Sequence, residues 1–353
     1  MDKLKNILSQ VGLRIKNTPQ LQFIVLGVVL MVIGRMVISG SSPTNINFFA
    51  EVVIYAVVAL GLNLLLGFSG LVSLSTAAFI GVTTNSMSIL IKEFDYSFLL
   101  AALLSLVIAG LLGLFIGVLS LKMEGIYLAI ATLFVGHIII ELFKAFERFN
   151  YGETTRVGSS IKLIFNLEYS NFFPEDRIKL FNLIVIGLIV TFIVIYNIFK
   201  SPTGRALMAI SRSQHAALAM GISVRKYRLL AFMIATMTAS FGGILHVLYF
   251  QTTGTADKWG LGLSLTILAI VVVGGIKSFY GILLGSFILI GIPSIYLSDI
   301  DFLSGFEDII TGLLIVIVIL FYPYGAAKIG YDLKKLYYKL KLRIKQKAVK
   351  DDE

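Results

Sequence analysis

A helix needs about 20 consecutive apolar residues to cross the hydrocarbon core of a bilayer. The number of stretches that reach this length constrains the fold more than any other feature of the sequence. There are ten, at roughly 22–39, 48–66, 71–91, 97–121, 125–146, 180–199, 229–250, 262–276, 279–298 and 306–323. The third is rich in Ser and Thr; the eighth is short and leaves through the tight Gly274-Gly275 pair. Ten such segments imply an all-α polytopic membrane protein of about ten transmembrane helices. Composition agrees. Charged residues make up 14% of the chain and hydrophobic ones 57%, whereas an average soluble domain carries about 25% charge. That is too little charge to cover soluble surfaces, so an ordinary soluble enzyme and a disordered chain are excluded. Cysteine is absent, which removes disulfides, Cys metal sites and thiol chemistry.

The net charge is +10. In a membrane protein its position matters more than its sum, because cytoplasmic loops retain Lys and Arg. One side collects the N-terminal basic residues from Lys3 to Lys16, the run from Lys200 to Arg228, the tail from Lys328 to Lys350, and Lys122 and Lys277. That is twenty-one basic residues, against eight on the opposite side. The split predicts both termini in the cytoplasm. The expected organisation is a cytoplasmic N-terminal segment (1–21), a transmembrane domain (22–323) and a basic cytoplasmic tail (324–353). Within the transmembrane domain, 147–179 is read as an external loop and 200–228 as a cytoplasmic segment. The first span is longer than a signal-peptide core and no A-x-A-like site follows it, so it reads as retained. In the tail, Ile329, Leu333, Leu336, Tyr337, Leu340 and Ile344 recur at helical spacing among lysines. That pattern suits a basic amphipathic helix on anionic lipid, or a solvated extension of the last span.

Enzymatic signatures are missing. There is no Walker A loop, no H-E-x-x-H and no G-x-S-x-G elbow. His137, His215 and His246 lie on different elements. Transport is the default for such a chain, with no cofactor and no nucleic-acid partner expected.

Three stretches carry information. The first, 61–79, sets three glycines, Asn63 and several hydroxyls at the junction of two spans. Every backbone group in lipid needs a partner, so this stretch must face protein or a water-filled path. Asn63, Ser73, Ser75 and Thr76 are candidates for lining a polar pathway; close packing through small residues is the alternative. The second, 201–223, opens with Ser-Pro and closes at Gly221. Its small residues and two arginines suit docking in a groove on a cytoplasmic partner, with Leu207 and Ile210 as apolar anchors. The third, 270–285, joins two apolar runs by a turn short enough only for a tight hairpin. Gly281/Gly285, like Gly113/Gly117, form G-x-x-x-G pairs that permit close helix contact.

In this order the three stretches resemble the permease subunits of bacterial ABC importers, and among them the LivM-type permeases for branched-chain amino acids. The resemblance rests on Gly-Leu-Asn-Leu-Leu-Leu-Gly (61–67), Ser-Pro-x-Gly-Arg-Ala-Leu-x-Ala-Ile (201–210) followed by Ala-Ala-x-x-x-Gly-Ile (216–222), Val-Val-Gly-Gly-Ile-x-Ser-x-x-Gly (272–281) and the closing span 312–325. It runs from about residue 50 to 328. Two features depart from the family pattern. His215 stands where an acidic residue usually precedes Ala-Ala, which puts a group that titrates near neutrality in the segment. The loop Asn150 to Gly158 replaces the usual Thr-Gly-Gly run.

The resemblance implies an importer permease bundle in a bacterial inner membrane. Its partners would be a second permease subunit (identical or related), two ABC ATPase subunits and an external solute-binding protein. ATP hydrolysis would belong to a partner chain. Coupling would fall to Arg205, Arg212, His215, Ala216, Ala217 and Gly221. The cargo would be branched-chain amino acids; relatives move urea, nucleosides or sugars. The competing readings are an ion-coupled secondary transporter, which wants carboxylates within the spans, and a membrane protein with no transport role. Glu51 and Glu141 are the carboxylates available. Glu51 and Arg35 are expected to snorkel to the outer interface, His137 and Glu141 to pair at i,i+4, and Trp259 to sit in an interfacial aromatic belt.

Overall fold

The computed structural model describes residues 18–40, 43–120, 123, 125–145, 157, 161–162, 168–169 and 174–293, with isolated positions between 309 and 320. The tail helix, most of the tenth span and most of the loop 147–179 lie outside the described residues.

The chain is helical in membrane-spanning lengths, as the apolar stretches require. Helices α1 (Pro19–Gly40), α2 (Pro43–Asn63), α3 (Thr76–Lys92), α4 (Phe98–Ser120) and α5 (Ile126–Ala145) come first. A two-residue ladder, Ile161–Lys162 against Glu168–Tyr169, precedes α6 (Pro174–Lys200). Then follow α7 (Pro202–Arg212), α8 (Gln214–Ala219), α9 (Val224–Phe250), α10 (Leu261–Gly274) and α11 (Phe279–Ser286). Six helices are long and apolar enough to cross a bilayer: α1, α2 with its extension to Phe68, α4, α5, α6 and α9. The third, eighth and ninth expected spans are shorter. α3 has 17 residues and α10 has 14, the latter about 21 Å at 1.5 Å per residue. α11 continues as a π-helical turn, Phe287–Gly291.

α9 is the hub and packs against α2, α3 and α4. In lipid the hydrophobic effect does not pull helices together, so association depends on close fit. α9 supplies Thr236, Thr238, Ala239, Gly242 and Gly243, all buried. Gly113 of α4 meets it so closely that a Cβ there would lie 2.6 Å from Thr236 Cγ2. Several buried threonine hydroxyls in the bundle bond to their own helix backbone. Thr83 donates to Phe79 O (3.0 Å), Thr191 to Gly187 O (2.9 Å) and Thr236 to Phe232 O (2.9 Å).

α10 and α11 form the expected hairpin, and their contact is backbone on backbone. A Cβ on Gly281 would run into the Gly274 carbonyl, and one on Gly285 would lie 2.6 Å from Ile270 O. At the tip Lys277 has φ 70°, while Ser278 caps α11 by accepting from Gly281 N (3.0 Å).

Candidate functional site: a broken crossing beside a two-helix platform

The first informative stretch is where the helical ladder fails. α2 ends at Asn63, widens into a π turn over Leu64–Phe68 and stops. Gly70 takes φ 70°, and Leu71 N reaches back to Leu65 O (3.2 Å), a glycine-closed helix end. Residues 71–75, expected within the third span, are non-helical, and α3 begins only at Thr76. Hydroxyls from two other helices satisfy the backbone freed here. Thr132 Oγ1 on α5 accepts from Leu74 N (3.0 Å), and Ser264 Oγ on α10 accepts from Ala77 N (3.1 Å). This is how non-helical backbone survives at membrane depth: it is buried in protein.

Ser73, Ser75 and Thr76 are brought together by this break. The Ser73 and Ser75 hydroxyls are 3.2 Å apart. Ser73 and Thr76 line a cavity of about 10 Å³ against Phe232, Thr236 and Ala239 of α9, the space one water needs. Those α9 residues are near its middle: Thr236 lies about 18 Å along the helix from Val224 at 1.5 Å per residue. Asn63 sits apart from the trio in its bonding. Its Oδ1 accepts from Lys277 N at the hairpin tip (2.8 Å), and its Nδ2 has no partner among the described residues.

The second stretch forms a platform. Ser201 caps α7 by accepting from Gly204 N (3.4 Å), and Pro202 opens the first turn. Ser213, in extended conformation, both ends α7 and caps α8 by accepting from Ala216 N (3.3 Å). Gly221 has φ 77° and closes α8, and Ile222 N donates to Ala217 O (3.0 Å). Arg228 of α9 ties the platform down by donating to Gln214 Oε1 (2.8 Å).

Burial corrects the expected anchors. Leu207 is buried in the main core, and Ile210 forms a separate small cluster with Ala217 and Val224. Both face this protein's own helices. Ala217, a coupling candidate, is likewise turned inward at 3% exposure, while Arg205, Arg212, His215, Ala216 and Gly221 are exposed. The outward apolar side chains are Leu218 (51%) and Met220 (81%). Helical periodicity places Leu218 near the Leu207 face; the break at Ser213 between α7 and α8 turns it outward. The platform touches the broken crossing directly: α7 packs on the π turn, and Ser211 is the neighbour of Gly70. Phe68 of the π turn meets Phe199 of α6 at 4.8 Å, with Lys277 Nζ 6.0 Å from its ring centre.

At the opposite ends of the helices a short turn, Asp257–Trp259, is clamped from two sides. Lys258 pairs with Glu51 of α2 at 2.9 Å and lies over the rings of Phe250 and Trp259. Glu51 is therefore ion-paired across the bundle instead of snorkelling alone. Asp257 pairs with Lys144 of α5 at 2.7 Å. Lys144 also takes Glu141 at 3.2 Å, in place of the expected His137–Glu141 contact. Trp259 is 1% exposed, its Nε1 donating to Thr253 O (2.9 Å) and its ring edge-on to His246. It plugs the core and is not part of an interfacial belt. Arg35 is exposed on α1.

The model of one family, the permease component of branched-chain amino acid transport systems, matches residues 45–319. The high-affinity branched-chain amino acid transport permease LivM of Escherichia coli (strain K12) is 28% identical over 274 residues, covering 70% of this chain and 63% of LivM. The chain thus spans just under two thirds of that relative's length. A probable branched-chain amino acid transport permease, LivH of Methanocaldococcus jannaschii, is 30% identical over 59% of this chain and 65% of its own. The inner membrane ABC transporter permease YjfF of Escherichia coli is 26% identical over 72% and 75%. No solved structure matches the chain.

Proposed function

The chain belongs to the permease-component family of branched-chain amino acid transport systems, and on that premise we propose that it is the membrane subunit of an ATP-driven importer whose cargo is branched-chain amino acids. In this reading residues 22–323 form the permease domain in a bacterial inner membrane, beside a second permease subunit. An external binding protein delivers solute, and two ATPase subunits hydrolyse ATP outside this chain. The observation that carries the reading is the platform. α7 and α8 are capped at every end, rest on their own small apolar cluster, and direct Leu218, Met220, Arg212 and His215 outward. An exposed apolar pair beside Arg212 and His215 on a rigid helix pair suits a groove on a partner.

The platform also abuts the broken crossing through Ser211 and Gly70. A push on α7 is therefore delivered to the π turn and to Ser73, Ser75 and Thr76, the residues assigned to the pathway. ATP-driven closure of the ATPases would shift the bundle between two arrangements, a population shift that needs no catalytic residue in the permease. An ion-coupled carrier is less well supported. Glu51, about two turns into α2, and Glu141, near the end of α5, are both held in ion pairs.

The test is purification of the tagged complex from native membranes in mild detergent. A Walker-A ATPase should copurify with the wild-type chain. Leu218→Asp with Met220→Asp should lower its recovery at least about tenfold, equivalent to about 1.4 kcal/mol. Full recovery with the double variant removes the platform as the docking site. Absence of any ATPase from an intact wild-type complex overturns the importer reading.

A further inference from the structure

On the platform side of the bundle, the end of α6, the π turn and the tip of the α10–α11 hairpin meet around two rings. Phe68 and Phe199 touch at 4.8 Å between centres. Lys277 Nζ stands 6.0 Å from the Phe68 ring, and Lys200 Nζ 5.9 Å from the Phe199 ring. Both lysines are exposed. Arg205 joins them, its Nη1 donating to Lys200 O (3.0 Å). Among the described residues no carboxylate answers these three cations. The sequence has no Asp or Glu between Asp176 and Asp257 or between Asp257 and Asp299. Between Asp2 and Glu93 the only acid is Glu51, which is paired with Lys258 at the other side of the bundle. Lys277 is also held in place. Its φ of 70° is one that glycine takes more freely. Its N–H donates to Asn63 Oδ1 (2.8 Å), and its stem lies against Gly67, where an added Cβ would come 3.2 Å from Lys277 Cγ.

We propose that Lys200, Lys277 and Arg205 bind the phosphate of an anionic phospholipid. The surroundings select an amphiphile, because charge lies on one side of the site and hydrocarbon-facing surface on the other. Two exposed hydrogen bonds mark the boundary. Gln20 of α1 donates from Nε2 to Asn197 Oδ1 of α6 (3.1 Å), and Tyr280 OH of α11 donates to Gln22 Oε1 of α1 (2.7 Å). Tyrosine is enriched at this level of a membrane protein, and lysine stems run along apolar surface to set their ammonium among headgroups. One turn further along α11 from Tyr280, Leu284 is 49% exposed, and Ile276 beside Lys277 is 50% exposed. A soluble anion uses the cations and leaves that apolar surface bare. An acidic protein surface in the cytoplasm does not reach Leu284. An anionic lipid uses both, its phosphate on the ammonium and guanidinium groups and its acyl chains beside α11. Headgroup attraction falls off within a Debye length, so cations gathered on one pair of rings act together where scattered ones do not. A zwitterionic lipid carries its own ammonium and gains less. Bound here, the phosphate ties the end of α6 and the start of α7 to the hairpin tip across the π turn, the joint between platform and broken crossing. The site does not depend on the importer reading or on its cargo.

The test is a lipid titration of the intact complex, stripped of lipid in mild detergent. Dioleoylphosphatidylglycerol, dioleoylphosphatidylcholine and inorganic phosphate are added separately, and native mass spectrometry reads the Kd of each. Phosphatidylglycerol should bind at least about tenfold more tightly than phosphatidylcholine. Lys200→Gln with Lys277→Gln should weaken phosphatidylglycerol about twentyfold, roughly fivefold per lysine, and leave phosphatidylcholine unchanged. Lys200→Arg with Lys277→Arg keeps both charges and should keep the affinity. Arg225→Gln with Lys226→Gln removes as much exposed charge from the start of α9 and should change nothing. The single variants, each expected to lose about fivefold, decide the case if the double glutamine variant does not fold. Equal weakening by the two glutamine pairs means a diffuse basic surface and overturns the site, as does equal affinity for the two lipids. Inorganic phosphate that binds as tightly as phosphatidylglycerol assigns the cations to a soluble anion and overturns the lipid assignment. Unchanged lipid affinity in the Lys200→Gln, Lys277→Gln variant, with loss of a copurifying subunit, assigns them to an acidic protein surface and overturns it too.

Discussion

Trp259 and Met220 stand near opposite ends of the helices, one 1% exposed and the other 81%. The contrast extends to their surroundings. Around Trp259 the chain is fixed by side chains from several elements: Glu51 on Lys258, Lys144 on Asp257, and the indole set between His246 and Thr253. Around Met220 the platform is held by helix caps, one Arg228–Gln214 hydrogen bond and the Ile210–Ala217–Val224 cluster. The bundle and its roof are bound by contacts that must all be kept together. The platform is stiffened by its caps and seated on the bundle through Leu207 in the main core and the Ile210–Ala217–Val224 cluster.

That difference breaks down if bundle and platform substitutions act alike. The largest effect is expected from Gly274→Val, whose Cβ collides with the Gly281 carbonyl. Backbone cannot rotate away as a side chain can, so the hairpin must open, at a cost of about 3 kcal/mol or more. Thermal unfolding in nanodiscs should show a large drop in Tm, or no folded protein; a wild-type Tm contradicts the backbone contact. Next comes Lys258→Met, which keeps an apolar stem over Phe250 and Trp259 but strands a partly buried Glu51. About 2 kcal/mol is expected, between the values for exposed and buried pairs, and Glu51→Gln added to it should recover part of the lost Tm. The smallest effect on stability belongs to Gly221→Val. A β-branched residue at φ 77° costs roughly 1–2 kcal/mol, confined to the end of α8. Membrane levels and Tm should stay near wild type while uptake falls at least about tenfold. Normal uptake at normal protein level would detach Gly221 from coupling.

Six of the ten expected spans are helices long and apolar enough to cross a bilayer, because lipid enforces a length and an apolarity that a sliding ruler detects. The ruler fails where protein replaces lipid as the environment. Residues 71–75 are apolar or hydroxylated and looked helical; Thr132 and Ser264, distant in sequence, supply the hydrogen bonds that let them unwind. The same blindness affected the platform. The sequence located the segment and its apolar anchors, but Leu207 and Ile210 face home because α9 and the π turn lie beneath them, which only the fold reveals. Trp259 was misplaced for a related reason. Aromatic belts are a statistical habit of helix ends, whereas this indole lies on a turn folded inward against Gly81 and Gly254.

The backbone contact between α10 and α11 has a mechanical meaning. Side chains ordinarily cushion a helix interface, since rotamers give way before axes move. Gly274, Gly281 and Gly285 leave no such cushion. Displacement at the Lys277 tip, where Asn63 and Phe68 touch it, therefore travels along both helices undamped. The hairpin behaves as a strut between the platform side and the roof at Trp259.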